Sequence, residues 1–126
     1  MVARSRNASL VMQRQVLKTA NYTVVTTTDG GKVFSSVLDA IVYTLPGIAI
    51  GNTFTFINIA DDGDALLTIS PNSNDGITWA GAELDDKDLL NTKATQKKGD
   101  YATLASFTAV ITWQVPVARG IWAKGS

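Results

Sequence analysis

IVYTLPGIAIGNTFTFIN, residues 41–58, decides how the chain is read. Ile41 to Leu45 is a run of β-branched, aromatic and aliphatic residues, and it stops at Pro46, which has no N–H to give to a strand ladder. Gly47 and Gly51 bracket a short apolar bridge, Ile48-Ala49-Ile50. Phe54 and Phe56 then alternate with Thr53 and Thr55, the period-two signature of a strand with one buried face. The stretch therefore predicts two strands joined by a tight connection in which both glycines relax the turn. An apolar connection has two readings: it folds over its own core, or a neighbouring molecule covers it.

The same alternation continues on both sides. YTVVTTT (22–28) predicts a strand ending at the turn Asp29-Gly30-Gly31, and KVFSS (32–36) a second, shorter one. ALLTIS (65–70), between the turns DDGD and PNSNDG, predicts another, and ITWAG (77–81) a further short one. FTAVITWQV (107–115) reads as the cleanest strand, with Phe107, Ala109, Ile111, Trp113 and Val115 on one face, and GIWAK (120–124) closes the set. Residues 83–100 are the least periodic and read as a loop, with one helical turn around 85–90. ASLVMQRQVLKTA (8–20) fits neither period, so a short helix and an extended arm both remain open. No internal repeat is visible. Many short strands with regular turn signals predict an all-β fold, a small antiparallel β-sandwich or barrel-like domain of jelly-roll or tulip-like kind. It would span residues 21–126, preceded by a basic N-terminal arm over residues 1–20.

Composition narrows the function. With 126 residues the chain suits one domain with a real core. Lys plus Arg and Asp plus Glu both number 11, so no global field attracts nucleic acid or an acidic membrane surface. No run is apolar enough to cross a bilayer, and the N-terminus lacks the apolar core of a signal peptide. Charge is nevertheless zoned. The arm carries Arg4, Arg6, Arg14 and Lys18 with no acid, residues 61–88 are acidic, and Lys93, Lys97 and Lys98 follow. Cysteine and histidine are both absent, which removes thiolate chemistry and the commonest general base, triad partner and metal ligand. There is no phosphate-binding loop, dinucleotide fingerprint or nucleophile elbow. A carboxylate pair drawn from Asp61, Asp62, Asp64 and Glu83 could serve glycoside hydrolysis, but turn aspartates more commonly cap their own backbone. The oxygen-rich turns DDGD and NSNDG could suit calcium, although neither has the EF-hand spacing. The expectation is a binding protein with no catalytic residue, no cofactor and no metal. Trp113 reads as core, whereas Trp79 and Trp122, near turns, read as end plugs, subunit contacts or a carbohydrate platform.

The order of the pieces carries a resemblance. NYTVVTTTDGGKVF (21–34), YTLPGIAIGNTFTF (43–56) and TWQVPVARGIW (112–122) resemble a recurrent pattern of small tailed-bacteriophage structural proteins. In that pattern a YTV…GK.F hairpin precedes a TLP strand end, a G..F.F strand and a closing W…G.W. The residues matching it are Tyr22, Gly31, Lys32, Phe34, Leu45, Pro46, Gly51, Phe54, Phe56, Trp113, Gly120 and Trp122, and the likeness spans residues 21–124. GAELDDKDLLNTKATQKKGD (81–100) departs from the compact version of the pattern. The resemblance implies a capsid decoration (cement) protein on the outer surface of a phage head, binding the major capsid protein and itself as a homotrimer. The alternative is a tail- or head-fibre module that binds a host surface glycan. On the first reading Arg4, Arg6, Arg14 and Lys18 would contact the capsid, while Ile48, Ile50, Trp79 and Trp122 would contact neighbouring subunits.

Overall fold

A computed structural model describes residues 15–49, 51–73, 75–79, 82–85 (backbone), 87–107 and 112–125. Within them the chain forms β1 (Gln15–Leu17), β2 (Tyr22–Thr23), α1 (Thr26–Asp29), β3 (Val33–Ser36), β4 (Ile41–Thr44), β5 (Thr53–Asn58) and β6 (Leu67–Ser70). There follow β7 (Gly76–Trp79), β8 (Ala82–Asp85), β9 (Leu89–Asn91), β10 (Asp100–Ala105), β11 (Thr112–Arg119) and β12 (Ala123–Lys124). The strands make two sheets. A seven-stranded sheet runs β1-β3-β5-β10-β11-β7-β8, and a five-stranded sheet runs β12-β9-β6-β4-β2.

The all-β expectation holds, but the antiparallel one does not: both sheets are mixed. Through β6 the chain crosses to the opposite sheet at every connection, so each strand returns beside the last-but-one and runs parallel to it. Gln15 pairs with Val33 and Val33 with Thr55 in one sheet; Tyr22 pairs with Tyr43 and Tyr43 with Ile69 in the other. Parallel neighbours cannot be joined by a tight hairpin, and here the opposite sheet supplies the crossover. Later strands then line the outcome with antiparallel pairs: β10 on β5, β11 on β10, β9 on β6 and β12 on β9. Between the pairs Thr103↔Val117 and Ala105↔Gln114 the register of β10 and β11 shifts at a bulge. Val115 and Pro116 lie on the longer side of this shift, and a bulge is where a strand tolerates a proline.

The two sheets share one core. Alternate residues of β3, β4 and β5 are fully enclosed, and Phe34, Tyr43 and Phe56 meet across the sheets with ring centroids 4.9 to 5.6 Å apart. Trp113 packs on Phe54 at 5.8 Å and is fully buried, as its place on the apolar face of its strand predicts. Such rings each bury 150–250 Å² or so and dominate core energetics. Polar side chains stitch the same space at one end. Asn58 of β5 donates to Asn91 of β9 at 3.0 Å, and Asn91 donates to Asp100 of β10 at 3.1 Å. Asn58 also donates to Ala65 O, Gln96 donates to Ala60 O, and Asp100 accepts from the Lys97 N–H. All four side chains are buried, and each is hydrogen-bonded, as burial of polar groups requires.

Several local expectations give way to tertiary contacts. YTVVTTT is not one strand: β2 ends at Thr23, and the chain folds into the single turn α1. Asp29 causes this, since its buried carboxylate accepts from the Val25 N–H (2.8 Å), Tyr22 OH (2.7 Å) and Lys32 Nζ (2.9 Å). Those bonds outweigh the β-propensity of three threonines. Within 83–100 the chain finishes β8, forms β9, where Leu89 and Asn91 point inward and are fully buried, and opens β10 at Asp100. Phe107 does not share the buried face with Trp113: it follows Ser106 outside the strand and is 64 % exposed. The end of the predicted arm is edge strand β1, whose Val16 packs against the core.

Candidate functional site

The strand directions sort the connections into two ends. One end gathers residues 18–21, 37–40, 59–66, 92–99 and 120–122. It carries Asp39, Asp61, Asp62, Asp64, Lys93, Lys97 and Lys98, and Arg119 lies where β11 arrives. Its ion pairs are exposed: Lys93 to Asp39 at 2.6 Å, Lys98 to Asp61 at 3.6 Å and Lys97 to Asp62 at 3.9 Å. Pairs of this kind contribute about 0–1 kcal/mol each. The Leu66 N–H and Lys93 hold the Asp39 carboxyl below the usual carboxylate range.

The other end gathers residues 24–32, 45–49, 51–52, 71–73, 75, 87–88 and 106–107. Of its charged side chains, Asp29, Lys32 and Asp75 are used inside the fold, while Lys87 and Asp88 lie half-buried in the connection from β8 to β9. Burial pushes the Asp29 carboxyl up, but the Tyr22, Val25 and Lys32 hydrogen bonds together outweigh it, so Asp29 titrates below the ordinary range. Asp75, also buried, accepts the Ile48 N–H at 2.9 Å. Ser106 bonds Ala49 O and accepts the Asn52 N–H, while Gly51 N–H donates to Ser106 O at 3.0 Å. These bonds fix the apolar bridge of the opening stretch. Leu45 makes the last ladder bond before Pro46, to Ser70 O at 2.8 Å. Of the two bridge glycines only Gly51 has a left-handed backbone, at φ 93°, so Gly47 is not needed for the turn. The large apolar side chains this end exposes are Phe107 at 64 % and Val25 at 43 %, beside the exposed Thr26, Thr27 and Thr28 and the half-buried Ile48; Val37, Leu38 and Ile121 are the exposed ones at the first end.

The residues singled out in the sequence fall in different places. Ile48 lies on this second end; Ile50 lies outside the described residues. Trp79 and Trp122 come together away from it. Trp79 Nε1 donates to Trp122 O at 3.1 Å, and Trp122 Nε1 donates to Arg119 O at 2.9 Å. Trp122 keeps 5 % of its surface, which leaves almost none of its ring for a neighbouring subunit or a sugar. Trp79 is half-buried with its N–H already used. Lys124 fastens the same corner by donating to Ile77 O and Lys87 O at 2.8 and 3.0 Å, and burial lowers its pKa. Of the arm residues, Arg4, Arg6 and Arg14 lie outside the described residues. Lys18 is held on the domain, its Nζ 3.6 Å from the centre of the Tyr22 ring.

The catalytic and metal alternatives are also placed. Asp61, Asp62 and Asp64 sit in an exposed turn closed by the Asp64 N–H to Asp61 O bond, and Asp62 accepts the Lys98 N–H at 2.8 Å. The Glu83 side chain lies outside the described part. Among the described residues no three acidic side chains converge as a metal group would require, and no helix is long and apolar enough to cross a membrane. Sequence reasoning missed Phe107. Its period-two phase matched Trp113, and the only contrary signal was Ser106, whose hydroxyl turns the chain out of β10. Compared with known proteins, the chain matches no protein-family model and no curated sequence.

Proposed function

We propose that the chain is a virion structural protein: a capsid decoration protein that binds the outside of a phage head through an apolar contact. In this reading the two sheets form a β-sandwich of jelly-roll or tulip-like kind. The basic N-terminal arm, with Arg4, Arg6 and Arg14, reaches acidic groups of the major capsid protein, and copies associate as a homotrimer. The role is binding rather than catalysis, with no cofactor or metal. The observation that carries it is Phe107, which stands 64 % exposed at the end where Asp29, Lys32 and Asp75 are each bonded inside the fold. Exposed aromatics surrounded by neutral surface mark interfaces, because burying one ring yields much apolar area at little rotamer cost. Many such contacts repeated over a shell add as avidity and stabilise the shell by mass action.

The test is cosedimentation with undecorated capsids. Phe107→Asp should abolish binding while the circular dichroism spectrum is kept and the thermal midpoint changes little, since 64 % of the residue already faces solvent. Ile121→Asp, equally exposed at 61 % but on the charged end, should bind as the parent does. Equal binding by Phe107→Asp and the parent would overturn the reading. Deleting residues 2–14 should leave the domain folded and weaken binding most at low salt, where exposed charges are least screened.

A further inference from the structure

We draw no further inference here: the strongest candidate, the open strand edge where β1 ends one sheet and β2 the other, carries nothing, because nothing in the structure shows what covers it.

Discussion

Gly120→Ala should be the most damaging single methyl addition in the domain, and the structure gives its size. Gly120 has φ 97°, a left-handed conformation that costs an L-residue about 1–2 kcal/mol. A Cβ at this position would also overlap Cγ and both oxygens of Asp100. That carboxylate cannot move freely: it is 2 % exposed and holds the Asn91 side chain and the Lys97 N–H. Displacing it breaks the chain from Asp100 through Asn91 to Asn58 that joins the sheets, and leaving a buried polar group unpaired costs about 1–3 kcal/mol. Conformation and overlap together predict a loss of roughly 2–5 kcal/mol by urea unfolding, within reach of the whole stability of a domain this size. Two other glycines separate the contributions. Gly51→Ala, at φ 93° with open space around its Cβ, should lose only the ~1–2 kcal/mol of backbone strain. Gly47→Ala, unhindered and without a left-handed backbone, should be neutral or gain about 0.4–1 kcal/mol by restricting the unfolded chain. If Gly120→Ala loses no more than Gly51→Ala, the polar chain is not the rigid element described.

Asp29→Asn should destabilise by about 2 kcal/mol at neutral pH through loss of charge-assisted bonds to Lys32 and Tyr22. Because the folded-state pKa of Asp29 lies below its unfolded value, its contribution is complete above about pH 4–5 and is lost as pH falls through the folded value, so the thermal midpoints of parent and variant should converge in acid. Thermal melts with and without EDTA should coincide; a drop of many degrees on chelation would place a structural ion at the Asp61-Asp62-Asp64 turn.

Strand positions were legible wherever a strand's two faces differ. Thr53–Asn58 and Ile41–Thr44 alternate buried with partly open residues as their sequence alternates. Pairing was not legible. Nothing in Val33–Ser36 states that its neighbour is Thr53–Asn58 in parallel, because that follows from where the intervening β4 lies, in the other sheet. The winding of β1 to β6 repeats in space without repeating in sequence, since each turn meets a different environment: an open edge at β1, a covered strand at β5. Asp29 and Phe107 show the same limit from opposite sides. Three hydrogen bonds to Asp29 from groups within seven residues make a helical turn of a strand-like run, and the bonds of Ser106 hold Phe107 outside the strand that apolar alternation would have begun there.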